Sequence, residues 1–459
     1  MDNYSLGFHS DTDKYRYIAP KGLSREIVVQ ISKQKNEPAW MLETRLAALA
    51  RFEEMPIPTW GADLSRINWE DMHYYLRSVE KPYAKWDDVP DSVRRVFEEI
   101  GVPEAEREYL AGVGGQYDSE VIYHSLKETL AKRGVIFLSM DEGLKQYPEI
   151  VRKNFGKIVP YGDNKLAALN TAVWSGGSFV YIPKRVVVDL PLQAYFRINA
   201  ERAGQFERTL IVAEEGASVH YVEGCSAPAY SSASLHAAVV EVVVEKEARV
   251  RYTTVQNWYK NVYNLVTKRA MVAAEARMEW ADCNLGSGVT MKYPSCILAG
   301  ERAHGEMLSI AVAGEGQQLD AGAKMIHLAE GTTSRIISKS ISQNGGRSSY
   351  RGQVKITPKA TNARSKVVCD ALIMDELSRS DTYPNNQIMT GDAQVEHEAY
   401  VSKIGEEQLL YLRGRGLTEE EAQTMIIRGF LEPVTAELPL EYAVELNRLV
   451  KLEMVGSVG

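Results

Sequence analysis

The hydrophobic pattern changes twice along the chain and divides it into three parts. Up to about residue 160, apolar residues recur at helical spacing in short pieces. Ser24 precedes an amphipathic run from Arg25 to Lys33, Leu and Ala repeat from Trp40 to Phe52, and Glu104 to Leu110 and Ser119 to Arg133 continue the style. Pro56, Pro58, Pro82, Pro90 and Pro103 punctuate the region. From about Asn164 the texture turns to short β-branched runs separated by Gly and acidic corners, such as SFVYIP, RTLIVA, AVVEVVV and KMIHLA. After about Glu398 helical patterning returns. Thr418 is the expected N-cap, with Glu421 as its capping-box partner and an apolar stripe through Ala422, Met425, Ile426 and Phe430. Gly429 and Pro433 mark the expected end of that helix, and a second is expected from Leu440 to Leu452. The pattern predicts a mainly β core over 161–399 between helical domains at 1–160 and 400–459.

The β region has a period. Aligning one small corner residue per segment gives Ala217, Ala248, Ala276, Ala303, Thr332 and Thr361, at steps of 31, 28, 27, 29 and 29 residues. A near-constant period with strands and no intervening helices points to a coiled solenoid, read here as a parallel β-helix. A β-sandwich with evenly spaced loops is the alternative.

In a β-helix, residues at equal offsets from the corner stack along the axis, and even offsets share one face. Eight residues past each corner lie Cys225, Gln256, Asn284, Ala311, Ser340 and Cys369. Nearer the corner this face is apolar; further on it carries Glu223, Thr254, Asp282, Ser309 and Ser338. A polar file inside a solenoid would be a wet or reactive path, because unpaired buried polar groups cost about 1–3 kcal/mol. On the outside it would simply be solvated, and the pattern leaves both open. Five strand spacings separate Cys225 from Cys369, roughly 24 Å, so the two thiols cannot hold one small cluster together.

Cysteine usage fits this picture. The chain has 4 cysteines among 459 residues, with no CxxC pair, so a thiol that matters acts singly. Cys283, at offset seven, and Cys296, beyond it, read as plain buried cysteines. Net charge −8 argues against a nucleic-acid surface and favours protein partners. No apolar run approaches the ~18 residues that span a bilayer. The acidic start MDNYSLGFHSDTDKYRY lacks the features of a signal peptide, which gives a cytoplasmic expectation.

Glu396, His397 and Glu398 follow one another beyond the last corner, with His397 facing opposite to the two carboxylates on a strand. An exposed strand is the plain reading; beside a thiolate, the same groups would make an iron site. No GxxxxGK[ST] loop, GxGxxG, HExxH or GxSxG occurs, so no P-loop ATPase or familiar hydrolase is expected. Many parallel β-helices act on carbohydrates, which makes a carbohydrate enzyme the rival from fold alone.

Several long blocks carry a resemblance. GQYDSEVIYH (115–124), GDNKLAALNTAVWSGGSFVYIPK (162–184), PLQAYFRINAERAGQFERTLI (191–211), YVEGCSAPAY (221–230), VQNW (255–258), NLVTKRA (264–270), EHEA (396–399) and ELPLEYAVELNRL (437–449) resemble SufB, of the SufB/SufD family of the SUF iron–sulfur cluster assembly system. The resemblance implies a right-handed parallel β-helix flanked by helical domains. It implies a scaffold rather than an enzyme, building a nascent cluster with the ATPase SufC, docked by the C-terminal helices, and with SufD or a second SufB copy. Sulfur would come from a cysteine desulfurase or sulfur carrier, with Cys225 as acceptor. Arg197, Asn199, Gln256, Trp258 and Lys268 would line a passage to Cys369, where Glu396, His397 and Glu398 are candidate cluster or iron ligands. A SufD-like non-catalytic subunit is the nearest alternative. A Cys-rich N-terminal motif of some relatives is missing, since no cysteine precedes Cys225, and the segment Tyr259 to Tyr263 is short. Reduced flavin is linked to some complexes of the family, but no residues here assign a flavin site.

Overall fold

The computed structural model describes residues 15–77, 110–198, 202–227 and 233–436. Their core is a parallel β-solenoid of about 7 turns with helices toward both ends. Two sheets face each other across a lumen. In the first, strands Leu192–Arg197, Ser218–Ser226, Arg249–Asn257, Arg277–Asn284, His304–Ala313, Thr333–Ser342, Ala363–Ile373 and Ala393–Lys403 stack in parallel. The second runs from Ser178–Ile182 through Arg208–Ala213, Val239–Val244 and Val262–Val272, then Val289–Lys292, Gln318–His327, Arg347–Ile356 and Arg379–Ile388.

The corners explain why the chain coils. At Gly216, Glu247, Glu275, Arg302, Gly331 and Asn362 the backbone takes a positive φ between 55° and 67°. The next residue in each case is Ala217, Ala248, Ala276, Ala303, Thr332 or Ala363, fully buried. A left-handed residue turns the chain, and a small side chain then lets it enter the lumen without a clash. The last corner is therefore Ala363, not Thr361. Thr333 pairs with Arg364, so Ser338 pairs with Cys369 and Ser340 with Ala371. Asn362, which tolerates the left-handed conformation, takes the turn that even spacing had placed two residues earlier. An even shift leaves Cys369 on the same face, now stacked in the file Glu223, Thr254, Asp282, Ser309, Ser338.

That face is the inside. Every member of the file is buried, and the neighbouring file Tyr221, Tyr252, Trp280, Met307, Ile336 and Val367 forms the apolar spine of the lumen, ending on His397. Its aromatic rings stack at centroid separations of 4.9 and 5.2 Å.

The solenoid reaches further toward the N-terminus than helical patterning suggested. Gly112–Tyr117 and Glu120–Leu126 extend the first sheet, and Ile136–Ser139 extends the second. Within the run Ser119 to Arg133, Val121, Ile122 and Tyr123 favour a strand, and the helix shrinks to Glu128–Ala131. Conversely, Asn164 caps a helix, Lys165–Val173, before the first core strand. This helix and Ala39–Glu54 cover the outer face of the second sheet.

The helix Glu419–Thr435 keeps the expected capping box. It continues past Gly429 and through Pro433, and its buried stripe is Ala422, Ile427, Leu431 and Val434, leaving Met425 exposed. Ile427, Leu431 and Val434 pack against Cys283, Leu308, Ile310 and Leu372 on the outer face of the first sheet, which accounts for the burial of Cys283. The expected helices at 104–110 and 440–452 lie outside the described residues, except Leu110.

Candidate functional site

Cys225 points into the lumen beside a buried network of charged groups. Its thiol donates to Glu223 Oε1 at 3.7 Å. Glu223 also accepts from the Tyr252 hydroxyl and, at 3.4 Å, from Lys268 Nζ. Lys268 reaches Thr254 and stands 3.6 Å from Asp282, which is itself 3.1 Å from Lys292 Nζ. Lys292 donates to Gln256 Oε1 at 3.2 Å, and Asn264 Nδ2 donates to the same oxygen at 3.0 Å. Finally, Asn264 Oδ1 meets His236 Nδ1 at 2.8 Å, and His236 Nε2 meets Glu207 Oε1 at 2.5 Å.

This last pair fixes a charge. Both partners of His236 are acceptors, so both ring nitrogens donate and the ring is an imidazolium. Burial opposes that charge, but Glu207 prevails and raises the His236 pKa. Three carboxylates, Glu207, Glu223 and Asp282, are thereby balanced by Lys268, Lys292 and His236, all of them buried. Burial disfavours charge and pairing favours it, and at Lys292 burial prevails and lowers the pKa in spite of Asp282. Lys268 is instead raised against burial by Asp282 and Glu223, and Asp282 is lowered against burial by the two lysines. Cys225 is different. Burial first, and the Glu223 charge next, push its thiol well above the ordinary value.

The five expected passage residues divide. Gln256, Trp258 and Lys268 are buried around Cys225, with the Trp258 ring 4.8 Å from that of His236. Arg197 lies at the end of its strand and donates to Ser226 Oγ at 3.4 Å. Asn199 lies outside the described residues. Gln256 Nε2 and Trp258 Nε1 are buried without a protein partner, as are the indole nitrogens of Trp69, Trp174 and Trp280.

At the far end the structure brings Cys369 and His397 together, with Sγ 3.9 Å from Nε2. The Tyr350 hydroxyl approaches the same thiol from the second sheet. Burial pushes Cys369 up to about 12, with Tyr350 opposing and Asp370 adding to the rise. Glu396 and Glu398 are exposed on the opposite face of the strand, Glu396 paired with Lys366 at 3.2 Å. Among the described residues, no three His, Cys, Asp or Glu side chains converge as a metal-binding set. Between the ends, Ser309 and Ser338 are buried on the first sheet, and Ala321 and Ala323 on the second.

Residues 29–194 match the SufBD protein N-terminal region, and residues 196–430 match the SufBD core domain of SUF-system FeS cluster assembly. The chain belongs to the SufBD family. An iron-sulfur cluster assembly SufBD family protein of Staphylococcus aureus (strain USA300) is 57% identical over 459 residues, covering 100% of this chain and 98% of that protein. A protein of the same description from Staphylococcus epidermidis matches at the same identity and coverage. A SufBD protein of SUF-system cluster assembly leaves the carbohydrate-enzyme reading without support. Among the described residues no helix is long and apolar enough to cross a membrane.

Reading the sequence missed Glu207, His236, Asn264, Lys292 and Tyr350. All five reach the site from strands or turns outside the first sheet, beyond the reach of the corner register. The available signal was a charged or amide side chain at an inward position of an otherwise β-branched run, as with Lys268 in VYNLVTKRAMV.

Proposed function

We propose that this chain is the SufB-type scaffold subunit on which a nascent iron–sulfur cluster is built, with Cys225 as sulfur acceptor and Cys369 as the cluster-holding thiolate. The pairing of Cys369 with His397 carries this reading. A tetrahedral metal with bonds of roughly 2.3 Å to sulfur and 2.1 Å to nitrogen sets those atoms about 3.6 Å apart, close to the 3.9 Å seen here. A polar file that runs beside the apolar spine from Glu223 to Ser338 supports a route between the thiols.

Two donors do not complete a cluster. Cys369 lies one strand from the end of its sheet, where Ala393–Lys403 exposes Tyr400 and Val401, and the adjacent end of the second sheet exposes Ile388 and Met389. An unpaired apolar sheet end is a surface for another chain, here SufD or a second copy, which would add ligands beside Cys369 and His397; Glu398, on the opposite face, could join only from outside the lumen. Leu410, Tyr411 and Met425 are exposed on the C-terminal helices, as a docking surface for SufC requires. Partial ligation suits a scaffold that must release its product, and ATP hydrolysis by SufC would drive the release in the cytoplasm. Sulfur would be supplied by a cysteine desulfurase.

Anaerobic iron and sulfide reconstitution of the assembled complex tests this. Cys369→Ala is expected to abolish the cluster chromophore. Cys225→Ala is expected to abolish desulfurase-dependent assembly but to retain assembly from free sulfide. Unchanged cluster formation by Cys369→Ala would sink the assignment and favour a SufD-like role.

A further inference from the structure

We propose that Glu223 is the base that takes the thiol proton of Cys225 when this cysteine accepts a sulfur atom from a persulfide. The inference rests on Cys225 being the acceptor and goes beyond it, to how so deeply buried a thiol becomes reactive.

The thiolate is the nucleophile in sulfur transfer. Burial and the neighbouring carboxylate hold Cys225 protonated, so the resting group is inert. A base within hydrogen-bonding reach is required. The Cys225 thiol already donates to Glu223 Oε1 at 3.7 Å. The other lumen groups cannot serve. Lys268 is protonated between two carboxylates, His236 donates from both nitrogens, and Asp282 lies between two ammonium groups.

The step balances without an outside oxidant or reductant. The proton moves from Sγ to the Glu223 carboxylate. The Cys225 thiolate attacks the terminal sulfur of a donor persulfide, R–S–SH, forming a new S–S bond. The old S–S bond breaks, its electron pair leaves with R–S⁻, and protonated Glu223 returns a proton to that thiolate. The products are Cys225–S–SH and R–SH.

The surroundings favour this transfer. Glu223 is the largest charge disfavouring the Cys225 thiolate, and taking the proton removes that charge at the moment the thiolate forms. Lys268, 3.4 Å from Glu223 Oε1, then faces an anion on sulfur instead of one on oxygen. The lumen's total charge does not change, so no ion has to cross the apolar spine.

The competing role for Glu223 is to neutralise Lys268 and nothing more. The two separate in a loading experiment on the full chain, with cysteine persulfide as donor and mass spectrometry reading the persulfide on Cys225 against time. Glu223→Gln is expected to slow loading by about a hundredfold. Glu223→Asp should recover part of the rate. Glu223→Gln with Lys268→Met restores charge balance, and so carries the test if the single variant fails to fold; it should stay slow. Wild-type loading by the double variant would overturn the inference and leave Cys225 as acceptor. If the wild-type protein does not load Cys225 at all, the acceptor reading falls and this inference with it.

Discussion

His397 pairs across the ladder with Val367, so its imidazole sits diagonally beside Cys369, Nε2 3.9 Å from Sγ, on the strand that closes the first sheet. Burial lowers the His397 pKa, which leaves the ring neutral near pH 7 with a lone pair available to a metal. His397→Ala should weaken ferrous iron binding at Cys369 by about tenfold to a hundredfold, in line with the loss of one ligand or its immediate support. Anaerobic iron titration of the complex measures this, and an unaltered isotherm would remove His397 from the site.

Asp282 holds two buried ammonium groups, at 3.6 Å from Lys268 and 3.1 Å from Lys292. Asp282→Asn leaves a surplus of buried positive charge and should destabilise the fold by about 3–5 kcal/mol. Adding Lys292→Met removes the surplus and should recover part of the loss, a coupling that a double-mutant cycle in urea would quantify. Strict additivity would mean that the three groups are not one network.

Acid should weaken the fold before its carboxylates titrate. Burial holds His124, His220 and His327 at about 4, against 6.5 for a free histidine. The unfolded chain therefore takes up protons first as pH falls below 6.5. The stability these residues contribute is complete above that value and is lost progressively toward pH 4, by about 2 kcal/mol each at pH 5. His236 runs the other way, since its raised pKa makes its contribution complete below 6.5 and lost as pH rises through the folded value. Urea midpoints at pH 7 and pH 5 test the sign. His327→Gln, which keeps hydrogen-bonding capacity toward Thr332 and Ser334, should shrink the drop.

Leu410 and Tyr411 are exposed on the helix Glu406–Gly414. If the proposed ATPase partner docks here, charging them, as Leu410→Glu with Tyr411→Glu, should abolish its copurification while leaving the thermal midpoint within a few degrees, because neither side chain supports the core. Intact copurification would move the docking surface elsewhere.

Much of this was legible in the sequence. Small corner residues revealed the coils, and parity placed Cys225 and Cys369 on one face. Parity alone could not say that the face was internal; that depends on the second sheet closing over it. Even spacing points to Thr361 and turn chemistry to Ala363, because Asn362 takes the left-handed conformation more readily than its neighbours. His236 and Lys292 were invisible for a different reason. Their role comes from groups on other coils, such as Gln256 and Asp282, which no local pattern brings together.

The final coil carries a lesson about how this chain can change. From Ala217 to Ala363 the coils differ in length, yet their extra residues fall in the turns, outside the run from corner to thiol. Within that run, adding one residue would rotate Cys369 onto the outer face and put Val368 in its place opposite Ser338. Adding two would keep a thiol inside but slide it one place along the row, away from Tyr350 and His397. The strand segment Ala363 to Cys369 is thus fixed in length by two demands at once, facing and reach, and the turns are where the scaffold is free to vary.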